Sequence, residues 1–210
     1  MHSDYPDNVI IENRTLEGER LELGDKYRLR YYLGPNLVLR RCTLVLRVPS
    51  GLLHFNGPRF IDCHIEVKRQ LKEVRWYTAH LKGCRFTGRL VDCDFGRRPN
   101  PALPYEDVGG IEDCDFTAAH IHGCRFVGCD ASTLKFPRWP YFTILEPYRR
   151  REEFASMTWP REIRPWFTMF DMFPETTAAI TYSATALEKE TGISEGRIRA
   201  LLEGHADVIY

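Results

Sequence analysis

The chain has no apolar run near the roughly 18 residues that a membrane-spanning helix needs. Its first residues, M-H-S-D-Y-P-D-N, lack the basic-then-apolar layout of a secretory signal. Both absences point to a cytoplasmic protein with no membrane partner. It also lacks an excess of charge of either sign. Lys and Arg total 29, as do Asp and Glu. Residues 1–136 hold 20 basic and 18 acidic residues, and residues 137–210 hold 9 and 11. This balance argues against a strong phosphate-backbone binder and against a mimic of DNA charge. There is no C-x-x-C pair, nucleophile elbow or phosphate-cradling glycine loop, so no cofactor or structural metal is expected. Cysteine is missing before Cys42 and after Cys129, and the seven between them are read as free thiols in a reducing compartment.

What is there is a five-residue rhythm. Between residues 119 and 136, Ala119, Cys124, Cys129 and Leu134 recur every fifth position. An apolar or small residue follows two places after each: Ile121, Phe126, Ala131 and Phe136. This period fits neither a helix nor a flat strand, but it fits a backbone that turns a corner every five residues. The rhythm returns upstream as Leu16/Leu21, Leu37/Cys42, Pro58/Cys63 and Ala79/Cys84, each pair 21 residues after the last. The decapeptide A-H-L-K-G-C-R-F-T-G at residues 79–88 comes back as A-H-I-H-G-C-R-F-V-G at residues 119–128. Cys93, Cys114 and Leu134 fit one further face. With four faces per coil, residues 11–136 make six coils, roughly 29 Å of stacked strands. Stacked small side chains make a dry ladder, which Cys suits, and Gly83, Gly88, Gly123 and Gly128 fall near corners that favour positive φ. No single coil would be stable alone.

The pattern resembles the pentapeptide-repeat family, best at Cys93-Asp94-Phe95, Cys114-Asp115-Phe116 and Cys124-Arg125-Phe126. The resemblance covers about 125 residues. It implies a mainly β fold, a right-handed β-helix of square section with the small and large apolar residues inward. The 21-residue period and residues such as Tyr31 and Trp76 imply bulges or a less regular solenoid. The expected domains are the β-helix over residues 9–136 and a small α-helical region over residues 137–210.

Two stretches break the rhythm. Residues 97–108, R-R-P-N-P-A-L-P-Y-E-D-V, hold three prolines and fall where the first two faces of the fifth coil are expected. They are read as a protruding loop, with Arg97, Arg98 and Tyr105 as candidate contacts for a partner. After Phe136, the aromatic, Pro-rich segment 137–148 is expected to cover the open end of the solenoid. Residues 149–157 are expected to form a short helix. Residues 159–174 are dense in large apolar residues, and Trp166 and Phe170 are read either as packing or as part of a partner-binding patch.

Residues 184–205 read as two helices, the first ended by Gly192 and the second capped by Ser194. A-L-E-K-E-T-G-I-S-E-G-R-I-R-A-L-L-E-G resembles the helix-turn-helix of phage-repressor-type DNA-binding domains. By that resemblance Ser194, Glu195, Arg197 and Arg199 lie on or near a recognition helix and face DNA. The alternative is a hairpin used for packing or dimerisation. Two further chemistries are open. Asp92, Asp94, Asp113 and Asp115 would form a carboxylate cluster if stacked one coil apart, as in solenoid enzymes that cleave acidic polysaccharides. His80, His120 and His122 invite a metal reading, although two coils separate His80 from His120 by roughly 10 Å.

The expectation is a non-catalytic binding protein that acts through the solenoid surface as a scaffold, an antidote or a modulator. Its partner is another protein or a second copy. A DNA-binding regulator is the alternative and a polysaccharide-active enzyme the third reading.

Overall fold

A computed structural model describes residues 8–24, 29–98, 109–205 and 207–210. The chain is mainly β and winds as a parallel β-solenoid of about four turns, with small helices at its C-terminal end. The lowest turn holds β1 (Asn8–Ile11), β2 (Arg14–Glu17) and β3 (Arg20–Leu23). Above it lie β4 (Arg30–Leu33), β5 (Leu37–Arg40) and β6 (Thr43–Leu46), then β7 (Leu53–Phe55), β8 (Arg59–Ile61) and β9 (His64–Lys72). Next come β10 (His80–Lys82), β11 (Arg85–Val91) and β12 (Asp94–Gly96), followed by β13 (Gly110–Glu112), β14 (Ala119–His122) and β15 (Cys124–Val127). These strands stack as parallel sheets in the orders β1-β4-β7, β2-β5-β8-β10-β13 and β3-β6-β9-β11-β14. Five stacked strands span about 19 Å.

The stack is shorter than the six coils the rhythm predicts, and the register shows why. Leu16, Leu39, Phe60, Leu81 and Ile111 stand directly above one another. The 21-residue period holds only from Leu39 to Leu81. The first turn takes 23 residues and the last, which contains the Pro-rich stretch, takes 30. That stretch is therefore an insertion between β12 and β13 and does not stand in for two faces. The two copies of the decapeptide consequently sit on different faces. Ala79 precedes β10, whereas Ala119 pairs with Gly88 in the adjacent sheet. Cys84 bonds toward Phe60 and is followed overhead by Cys114, because Arg85 bridges Asp115. Cys124 belongs with Cys93.

The inward cysteines are packing groups with a local rule. Each of the seven follows a residue in the left-handed region: Arg41, Asp62, Gly83, Asp92, Asp113, Gly123 and Gly128. The corner reverses the chain at that residue and sends the next side chain inward. Asp tolerates this conformation better than most residues, which accounts for its frequency beside Cys. Four thiols reach the coil beneath: Cys63 Sγ donates to the Leu39 carbonyl at 3.3 Å, Cys84 to Phe60 at 3.4 Å, Cys93 to Leu71 at 3.7 Å and Cys124 to Leu90 at 3.6 Å. Gly88, at φ 92°, lies so close above its neighbour that a Cβ would sit 1.9 Å from the Val67 carbonyl oxygen.

The core changes character along the axis. Leu23, Leu33, Leu37, Leu39, Leu44 and Leu46 fill its lower part. Aromatic columns fill the upper part. Phe86 stacks on Phe116 at 4.6 Å, and Trp76, Phe95 and Phe126 form a second column. Trp76 joins this column from a 3-10 turn at Trp76–Thr78, where the strand repeat is locally irregular.

A cap closes the upper end. It contains β16 (Tyr141–Leu145), α1 (Arg151–Ser156), α2 (Arg164–Thr168), β17 (Thr177–Ser183), α3 (Ala184–Thr191), α4 (Glu195–Leu202) and β18 (Val208–Ile209). The helices are accompanied by three strands that the sequence reading did not contain. β17 runs antiparallel to β15, β16 runs antiparallel to β17, and β18 completes the sheet β12-β15-β17-β16-β18. The last coil's edge is thus covered by β17, and the aromatic segment 137–148 contributes the second strand of the cover instead of the first. Ala179 faces Phe126 and continues the solenoid core into the cap. Among the described residues no helix is long and apolar enough to cross a membrane.

Candidate functional site

The apolar segment 159–174 mostly packs. Trp159, Ile163, Phe167, Phe170 and Phe173 are buried in a second core with Phe142, Tyr182, Leu187, Ile198 and Leu202. Phe170, a candidate partner contact by sequence, has no exposed surface. It lies against Phe154 at 5.2 Å and Phe173 at 5.6 Å, so it holds the cap together. Three side chains of the segment are not sealed in: Trp166, half-buried and packed against this core, Met169 at 36% exposure and Met172 at 77%. Ile10 and Ile209 are the other large apolar residues left exposed among those described.

Trp166 and Met169 form one rim of a cleft between cap and solenoid, with a volume of about 310 Å³. The cap supplies Trp166, Met169 and Phe173 from the α2 region and Ile180 and Tyr182 from β17. The solenoid supplies Asp92, His122, Gly123 and Arg125. Their placement follows from the corner rule. Asp92 and Gly123 are stacked corner residues, and a Cβ on Gly123 would meet Asp92 Oδ1 at 2.3 Å. Glycine leaves room there for the carboxylate of the coil below.

Each polar group in the cleft has a defined state. Arg125 donates from Nε to Asp94 Oδ1 at 2.6 Å and from Nη2 to Asp94 Oδ2 at 2.9 Å, a bidentate pair that fixes the guanidinium plane. That guanidinium lies 5.5 Å from the centre of the Phe173 ring. His122 Nδ1 accepts from the Ser183 backbone N–H at 3.1 Å, and Nε2 lies 3.5 Å from Glu190 Oε1. Burial lowers the His122 pKa, against the opposing pull of Glu190 and Asp92, so the ring is held neutral. Burial raises the Asp92 pKa, countered by His122 and Lys72. Burial likewise raises that of Tyr182, whose hydroxyl donates to the Trp166 carbonyl at 3.3 Å. Both nitrogens of His122 face partners, so the ring is a latch between solenoid and cap with no free lone pair for proton abstraction.

The other candidates fall elsewhere. Arg97 and Arg98 are exposed, and Arg98 lies 5.9 Å from the Tyr77 ring centre. Arg97 borders a shallow concavity of about 330 Å³ on the outer face of β8, β10 and β13. Tyr105 lies outside the described residues. The hairpin of α3 and α4 forms as expected, with Gly192 at φ 75° and Ser194 accepting from the Arg197 N–H at 3.4 Å. Strands flank it on both sides where a repressor-type domain has helices. Arg197 is exposed, while Arg199 lies over the rings of Trp139 and Tyr210 at 5.3 and 5.6 Å and near Glu203 at 3.7 Å.

The four aspartates do not form one cluster. Asp92 and Asp94 lie on the Cys93–Cys124 side, Asp113 and Asp115 above Gly83 and Arg85. Asp94 is taken by Arg125, and Asp115 accepts from the Thr117 hydroxyl at 2.6 Å. His80 and His120 occupy different sheets, and His120 Nδ1 is 2.6 Å from the Tyr141 hydroxyl. Among the described residues no group of three or more His, Cys, Asp or Glu side chains converges as a metal site would require. Cys63, Cys84, Cys124 and Cys129 are poor nucleophiles, because their surroundings raise their pKa values. Neighbouring Cys114 and burial push Cys84 up to about 12, and burial beside Asp130 pushes Cys129 to about 11.

Sequence reasoning found Trp166 but not its surroundings. Asp92 and His122 had been noticed only for a carboxylate cluster and a metal site. The alternation of Thr177, Ala179 and Thr181 with Ile180 and Tyr182 is the signal that could have revealed β17. No family model matches the chain, and no curated protein or solved structure shows a significant match to it.

Proposed function

We propose that this protein is a non-catalytic binding protein, a pentapeptide-repeat-type scaffold, antidote or modulator that docks another protein at the cleft between its solenoid and its cap. The observation that carries this reading is the open apolar rim. Buried packing accounts for nearly all large apolar side chains in the described residues, yet Trp166 and Met169 line a concave, partly polar cleft, and Met172, three residues further along the chain, is 77% exposed. An apolar anchor beside a few fixed polar groups is the composition of a binding hot spot. The solenoid supplies the rigid base, since its chemistry-bearing side chains serve as ladder and corner groups. The free thiols favour the cytoplasmic setting read from the sequence. On this reading the α3–α4 hairpin packs the cap.

Site-specific photo-crosslinking in the source cell tests the proposal. A benzophenone amino acid at Met172 is expected to give one discrete adduct, and the same probe at Val38 on the solenoid face is expected to give none. Adducts from Val38 and none from Met172 would move the interface to the solenoid side.

A further inference from the structure

The cleft's charge does not balance. Arg125 is matched by the bidentate contact with Asp94. Lys72 lies nearer Glu73, at 3.3 Å, than Asp92, at 3.9 Å. His122 is neutral while its Nδ1 accepts from Ser183. Asp92 therefore leaves negative charge in excess in the cleft, with Glu190 near His122 adding to it from outside the lining, and the Asp92 carboxylate is only half exposed. The rings of Trp166, Phe173 and Tyr182 line the same cleft, that of Phe173 with the Arg125 guanidinium 5.5 Å from its centre. A partly desolvated carboxylate in a cleft lined by aromatic rings favours a cation, through the charge and through the ring quadrupoles together.

From this charge complementarity we infer that the partner inserts a lysine or arginine side chain into the cleft, its charged head at Asp92 and its aliphatic stem along the aromatic wall. An apolar residue next to it in the partner's sequence rests on Met169. A long cationic side chain suits such a site because its stem is apolar while its head is charged. Asp92 is then the specificity-determining residue of the docking site proposed above, and the inference rests on that reading.

The test is an NMR titration of the full chain carrying labelled Trp and Met. The probes are acetyl-Leu-Arg-Leu-amide, its citrulline counterpart and butylguanidinium. The arginine peptide is expected to shift the Trp166 indole and the Met169 methyl resonances saturably. The citrulline peptide, and Asp92→Asn titrated with the arginine peptide, are expected to bind about tenfold more weakly, as for loss of one charge-assisted contact. Asn tolerates the left-handed corner at position 92, so the variant keeps the fold, which its backbone spectrum verifies. Citrulline and arginine peptides of equal affinity would overturn the cation inference and leave an apolar docking site. Butylguanidinium binding as tightly as the peptide would overturn both, since the site would then serve a small free cation. If no probe shifts Trp166 while a Met172 crosslink persists, docking stands and the cation inference falls.

Discussion

The solenoid and its cap use apolar residues in opposite ways. In the solenoid every inward position is answered by a like position one turn above or below, so packing accounts for the Cys, Leu and Phe columns. In the cap nothing repeats. Four short helices and three strands close around one aromatic cluster, and part of the α2 region projects beyond it. Repetition absorbs reactive side chains into structure, whereas irregular closure leaves a rim. Function should lie where the repeating part ends.

The largest expected effect tests the ladder. Cys124 is fully buried, and its strand carries the cap through its pairing with Thr181. Cys124→Arg buries an unpaired charge and should cost on the order of 4 kcal/mol, enough to unfold solenoid and cap together. Urea denaturation followed by Trp fluorescence and far-UV dichroism measures it, and a tolerated substitution would contradict the inward assignment. The next pair contrasts glycines. Gly88→Ala would push a Cβ against the Val67 carbonyl at positive φ and should cost about 3 kcal/mol. Gly192→Ala in the cap meets open space at φ 75° and should cost only about 1 kcal/mol. Equal losses in thermal melts would mean that the solenoid corners are no tighter than the cap.

A smaller effect concerns the joint. The folded His122 pKa lies below the ordinary value, so its contribution to stability is present in full above about pH 6.5 and is lost as pH falls through the folded value. Protonation would displace the Ser183 N–H from Nδ1. Asp92, Glu190, Arg125 and Tyr182 surround this ring, and burial acts on Asp92 as well. Its raised pKa has the opposite sign: that stability is present at low pH and lost as pH rises through its folded value. The protection factors of the β17 amides, which correct for intrinsic exchange at each pH, should therefore fall as pH drops below about 6.5, and His122→Asn should remove that fall. The smallest effect is Thr181→Val, which orphans the Thr143 hydroxyl now 2.8 Å away and should cost about 1 kcal/mol in the same melts.

Much of the solenoid was legible, because its physics is local. Five-residue faces, inward Cys and left-handed corners follow from neighbouring residues, and Gly83, Gly88, Gly123 and Gly128 all take positive φ as expected. The turn count was not legible. Faces of a square coil look alike in sequence, so two nearly identical decapeptides fit adjacent faces as well as stacked ones. Only the length of the insertion before Gly110 decides between them. The cleft was half legible. Trp166 stood out by size and Phe170 equally so, yet one borders solvent and the other is sealed against Phe154. That difference depends on the antiparallel pairing of β17 with β15, between residues 50 or more apart in the chain.

The most direct measurement is the equilibrium affinity of the purified crosslinked partner for three forms of this protein. The wild type sets the reference, Trp166→Ala with Met169→Asp alters the rim, and Arg97→Glu with Arg98→Glu alters the solenoid side. The rim variant should lose about thirtyfold, near 2 kcal/mol, as for removal of a hot-spot residue, with an unchanged solenoid melt. The Arg97/Arg98 variant should stay within about threefold, as for exposed charges outside an interface. The reverse order, with affinity lost at Arg97 and Arg98 and kept at the rim, would contradict the assignment of function to the cleft.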